Sequence, residues 1–157
     1  GLRLLKTLGL GLIVITNQSA LGRGFLKKEK LDSIHHRMNE LLESNGITVD
    51  GIYVCPHTPE DSCMCRKPQT GLIDQAGKDF DLDPTACVVI GDKESDIELG
   101  RRIGAITILV RTGYGADVAK RGSVEPNYVV DGLWDAALVV QNLITKKERL
   151  SDVGAKH

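Results

Sequence analysis

Short runs at 12–15, 51–55, 87–90, 105–110 and 128–130 are apolar almost throughout, and segments of helical periodicity separate them. A strand with one wet face alternates apolar and polar residues; a strand buried on both faces does not. The runs therefore predict βαβ units and a mostly parallel sheet with helices over both faces, an α/β fold. Helices are expected at 2–8, where Leu2, Leu4, Leu5 and Leu8 recur, and at 27–44, where Leu31, Ile34, Met38, Leu41 and Leu42 recur before an Asn45-Gly46 stop. Further helices are expected at 70–80, at 94–103, after the glycine-rich turn at 111–115, and at 134–143. Met38, Trp134 and the leucines read as core.

A chain of 157 residues, 41% of them apolar, is one domain long. That domain is expected over 1–145, with the charged stretch 146–157 fraying. The net charge of −1 gives no broad field for nucleic acid or an anionic membrane, so any anion must be gripped locally. The apolar stretch 8–15 is too short to span a bilayer and carries no cleavage-like site, which points to the cytoplasm.

Three of the four cysteines, Cys55, Cys63 and Cys65, lie within eleven positions beside His57, while Cys87 stands apart. Three thiolates and an imidazole close a tetrahedral zinc shell, and a closed shell is structural: it folds a polar loop that lacks apolar glue.

In an open α/β sheet, ligands collect beyond the carboxyl ends of the strands, and polar residues gather there in this chain. Thr16, Asn17, Gln18 and Ser19 follow the first run, offering a hydroxyl and backbone N–H groups that suit phosphate oxygens, although a plain turn uses the same residues. Arg23 sits between Gly22 and Gly24 as a cation on a flexible stalk. Arg66 and Lys67 adjoin the last cysteine and precede Pro68; alone such a pair is solvated surface, and its value rests on its neighbours. Asp92 and Asp96 flank Lys93 at the start of a helix. Helix capping explains much of that pattern, yet two convergent carboxylates are also what magnesium takes when it shares a phosphate.

In this order the motifs resemble those of the haloacid-dehalogenase superfamily, and within it the D-glycero-D-manno-heptose 1,7-bisphosphate and histidinol-phosphate phosphatases. The resemblance covers residues 1–115. It implies a Rossmann-like, three-layer α/β/α fold and magnesium-dependent phosphomonoester hydrolysis through an aspartyl-phosphate. On that likeness Thr16 binds the transferring phosphoryl group with Asn17 beside it, and Lys67 neutralises phosphate and nucleophile. Arg66 contacts substrate, Asp92 ligates magnesium, Lys93 and Asp96 support the site, and Cys55, His57, Cys63 and Cys65 match the zinc loop.

One family motif has no counterpart: the Asp-x-Asp that ends the first strand and provides nucleophile and general acid. Asp81-Leu82-Asp83 has the spacing but sits in a turn before Pro84. The expectation is that this motif and its central strand belong upstream of Gly1, and that 1–157 alone does not turn over an ester. Removing that strand is expected to expose core and unpaired backbone. A small sugar bisphosphate is the expected partner of a monomer, histidinol phosphate the alternative. A non-catalytic zinc module binding a phosphorylated partner or nucleic acid is disfavoured by balanced charge and 4% aromatic residues.

Overall fold

The computed structural model describes residues 1–154, with side-chain surroundings through residue 146. In chain order the elements are α1 (Leu2–Thr7), β1 (Ile13–Asn17), α2 (Ser19–Gly22), α3 (Lys28–Glu43), β2 (Gly51–Cys55), α4 (Gly71–Phe80), β3 (Val88–Gly91), α5 (Glu94–Arg102), β4 (Ile106–Val110), α6 (Gly115–Arg121), β5 (Tyr128–Val130) and α7 (Leu133–Gly154). Short 3₁₀ turns at Pro59–Asp61 and Pro84–Ala86 punctuate the loops.

All strand pairings are parallel, as the uniformly apolar runs require. Side chains of β4 alternate between two layers. Ile108 and Val110 pack with Leu5 of α1 and with Ala136, Ala137 and Val140 of α7, while Leu109 packs with Ile97 of α5 and Val118 of α6. Helices thus cover both faces, giving the three-layer α/β/α arrangement.

The strands form two sheets rather than one: β1 with β2, and β3 with β4 and β5. Gln18 N–H donates to Cys55 O (2.8 Å) and Asp50 N–H to Leu12 O (2.8 Å), so even-numbered residues of β1 address β2. Ile13, Ile15 and Asn17 therefore present their backbone groups to the other edge. Ile106 N–H donates to Cys87 O (3.2 Å), which turns the backbone of Val88 and Ile90 away from β4. Among the described residues β1 and β3 each have a strand on one side only.

Three expectations are corrected. Strand β1 runs to Asn17, so Thr16 and Asn17 close the strand rather than begin a loop. Helix α7, expected to end at 143, continues to Gly154; 155–157 lie outside the described residues. Trp134 is 56% exposed rather than core, at the rim of an apolar cavity of about 600 Å³ that Leu2, Leu4, Leu41 and Ile47 also line.

Candidate active site

Lys67 is the side chain on which the two halves meet. Its ammonium donates to Ile15 O (2.6 Å), on the strandless edge of β1, and lies 2.7 Å from Asp96 Oδ1 on α5. Its backbone is held separately: Lys67 N–H donates to Asn17 Oδ1 (3.0 Å) and Asn17 Nδ2 donates to Lys67 O (3.1 Å). A lysine stem is flexible, so these ties at both ends decide where its charge stands.

Asp96 is 6% exposed, and both its oxygens are engaged, because Oδ2 also accepts the Lys93 N–H (3.0 Å) at the start of α5. A carboxylate so buried requires its cation, and removing either partner leaves an uncompensated charge. The approach depends on Gly91, where any Cβ would collide with the Asp96 carboxylate.

Asp92 follows the last residue of β3 and accepts the Tyr114 N–H through Oδ2 (3.0 Å). The turn after β4 brings that amide in with Gly113 at φ +60°, where a side chain would both strain the backbone and run into Asp92 Oδ2. Among the described residues Asp92 Oδ1 has no hydrogen-bond partner. Lys93 is exposed and its ammonium lies 4.7 Å from the centre of the Tyr114 ring, a cation–π distance. Thr16 Oγ1 accepts from Gln18 Nε2 (3.1 Å).

Cys55, His57, Cys63 and Cys65 come together with all four ligand atoms within 4.8 Å of one another, a cluster able to hold a metal ion. The sulfur separations are 3.6, 3.5 and 3.3 Å, and His57 Nδ1 lies 3.2 Å from Cys65 Sγ. All four cysteines are free thiols. Burial opposes ionisation of Cys63, but hydrogen bonds from the Cys65 side chain and backbone outweigh it and bring that thiol to about 7. Burial and the hydrogen-bonded Cys55 and Cys63 push Cys65 up to about 12; burial also raises Cys55. Without a cation, crowded thiols share little negative charge.

The cluster is stitched to the site. Arg66 Nη1 donates to His57 O (3.0 Å), and Arg23, at the end of α2, pairs with Glu60 (3.4 Å) in the 3₁₀ turn between the ligands. The stalk expected to be loose is thereby tethered, helped by Gly22 N–H donating to Pro56 O (3.0 Å). Asp81 and Asp83 lie apart: Asp83 caps the Pro84–Ala86 turn by accepting from Thr85.

The structure thus joins Lys67 to Ile15 and Asn17 of β1 and to Asp96 of α5, sets Thr16 against Gln18 and Asp92 against the Tyr114 amide, and ties Arg66 and Arg23 to the cysteine–histidine loop. Sequence reasoning missed the Asn17 clip, the Ile15 carbonyl and the Tyr114 amide. Backbone groups carry no residue signature, and the only hint of the last was glycine on either side of Tyr114.

The chain is similar to known proteins in sequence and in fold. The HAD-hydrolase-like family signature matches residues 64–136. A probable D-glycero-D-manno-heptose-1,7-bisphosphate 7-phosphatase of Thermoplasma volcanium is 45% identical over 96 residues, 60% of this chain and 66% of that protein. The D-glycero-beta-D-manno-heptose-1,7-bisphosphate 7-phosphatase of Haemophilus influenzae is 36% identical over 151 residues, 90% of this chain and 80% of its own length. The D,D-heptose 1,7-bisphosphate phosphatase of B. bronchiseptica, crystallised with magnesium and phosphate, superposes with a TM-score of 0.81 at 32% identity, covering 92% of this chain and 79% of that one. With identity above 30% over four fifths of a relative and the same fold, the chain belongs to the heptose-bisphosphate phosphatase family of the HAD-like hydrolases.

Proposed function

We propose that the chain serves phosphomonoester hydrolysis, with D-glycero-D-manno-heptose 1,7-bisphosphate as substrate and its C7 phosphate as the group removed. The observation that carries this reading is the Lys67 ammonium, fixed 2.6 Å from Ile15 O on β1 and 2.7 Å from Asp96 Oδ1 on α5. Phosphoryl transfer asks chiefly for positioning and charge neutralisation, which a half-buried, doubly anchored cation supplies.

In this reading Lys67 and the Thr16 hydroxyl hold the transferring phosphate. Arg66, Arg23 and Lys93 face the remainder of the substrate. Asp92 is the magnesium ligand: one oxygen is oriented by the Tyr114 amide, and a hard oxygen remains to the ion. When bound, magnesium neutralises phosphate charge. Asp96 supports the site through Lys67.

The cysteine–histidine cluster fits zinc. A tetrahedral shell with Zn–S near 2.3 Å sets sulfur atoms about 3.8 Å apart, and the observed 3.3–3.6 Å lies just inside that. Zinc here would hold the loop that ends in Arg66 and Lys67.

Among the described residues β1 and β3 are each paired on one side only, and these open edges support a further element of the reading, a strand ending in the nucleophilic Asp-x-Asp. Phosphate release should be measured with heptose bisphosphate and with histidinol phosphate. The chain alone and a fusion carrying an apolar Asp-x-Asp strand ahead of Gly1 should be compared. The expected result is magnesium-dependent release by the fusion only, faster on the heptose; faster release from histidinol phosphate would shift the substrate assignment to that alternative. A folded, metal-loaded fusion inert toward both would refute the reading.

A further inference from the structure

We infer that Asn17 is a positioning residue that acts through Lys67, rather than a substrate ligand; this rests on Lys67 being the phosphate-holding cation. Its carboxamide offers one acceptor oxygen and one donor nitrogen. Both are directed at the two backbone groups of a single residue fifty positions away, at 3.0 and 3.1 Å. The pattern imitates a strand pairing, made by a side chain instead of a backbone. An amide so placed cannot turn to a sugar or phosphate without releasing Lys67.

The location explains the need. Lys67 lies two residues beyond the last metal-cluster cysteine, in a loop whose nearby backbone ties are Gln69 N–H to Arg66 O (2.8 Å) and Gly71 N–H to Met64 O (3.0 Å). Neither fixes the Lys67 peptide to the sheet. Asn17 does, from the last position of β1, where it is in register with Cys55, itself a cluster residue. The strand end therefore grips the metal loop at its entrance through the ladder and at its exit through the amide. With the backbone held, the stem reaches Ile15 O, two residues before Asn17, on the same strand edge.

A double-mutant cycle separates this role from direct contact. Inorganic phosphate is titrated calorimetrically, with magnesium present, into wild type, Asn17→Ala, Lys67→Ala and the double variant, and amide exchange at residue 67 is followed in parallel. Asn17→Ala is expected to weaken phosphate binding about tenfold, speed exchange at the Lys67 amide and leave bound metal unchanged. The double variant should bind no worse than Lys67→Ala. Asn17→Asp, which keeps the acceptor for the Lys67 N–H but loses the donor, should retain slow exchange. Additive losses, or unchanged exchange at residue 67 in Asn17→Ala, would overturn the inference. Phosphate binding unaffected by Lys67→Ala would instead refute the function on which it rests.

Discussion

The two halves of the molecule are built by different physics. Around β4 the chain buries apolar side chains outright: Ile97, Ile108, Ala136 and Ala137 are fully buried and Leu109 is 1% exposed. Every residue of β1 is only half-buried, and in β2 the one fully buried side chain is Cys55, part of the metal cluster. What β1 and β2 lack in core they make up in specific polar ties: Asn17 to Lys67, Asp50 to Lys6 and the Leu12 amide, Tyr53 to Asp79, Arg66 to the His57 carbonyl. Burial is tolerant and non-directional, whereas hydrogen bonds and metal ligation fix atoms in place. Of the residues proposed to handle phosphate, Thr16, Arg66 and Lys67 belong to the half held by directed bonds.

That contrast can be broken at its strongest point first. Cys65→Ser removes one of four ligands, and structural zinc is worth on the order of 10 kcal/mol of apparent binding free energy. Elemental analysis should fall from about one equivalent of zinc to near none, and the segment 55–71 should lose protection from exchange while β3–β5 keep theirs. If β3–β5 lost protection equally, the halves would not be independently stabilised.

The converse substitution is Leu109→Ala. Truncating a fully buried leucine costs about 2–5 kcal/mol, so a denaturant titration should show a large loss of stability with zinc content unaltered. A loss below about 1 kcal/mol would contradict the assignment of the core to this half.

Smallest is the Asp50 tie. The Leu12 N–H, and then Lys6, hold its carboxyl below the ordinary value of 3.8. A lowered folded pKa contributes stability that is present above about pH 4 and lost as pH falls through the lowered value. Asp50→Asn should destabilise by less than about 1 kcal/mol, since the side chain is 35% exposed and solvent screens the pair. The variant's deficit should vanish in acid; a deficit that persisted below the lowered pKa would show that packing, not charge, is at work.

The same contrast explains what could be read from the residues alone. Strands β3 and β4 and helices α3 and α5 carry their own periodicity, so burial announced them to within a residue or two. The cysteine–histidine loop was legible because its ligand types admit few substitutes. The end of α7 was not: Lys146, Lys147, Glu148 and Arg149 show no apolar stripe although they favour helix. Nor was Trp134, whose hydrophobicity suggested core where the structure leaves it at a cavity rim. In the site, residue types at strand ends nominated Thr16, Lys67 and Asp92, but the partners that orient them are a carbonyl, two amides and a side chain fifty positions distant. Asn17 was legible as a polar strand-end residue and illegible as a clip, because a hydrogen bond of that range leaves no local pattern.

The most direct test of the central claim, that Lys67 and Asp92 converge on a phosphate, is the affinity of the chain for inorganic phosphate with and without magnesium. Wild type is predicted to bind it in a magnesium-dependent manner. Lys67→Ala should lose about tenfold or more, as expected for a charge-assisted hydrogen bond, and Asp92→Asn should abolish the magnesium dependence, both with the zinc loop still loaded. Equal affinity in all three proteins, or binding indifferent to magnesium, would contradict it.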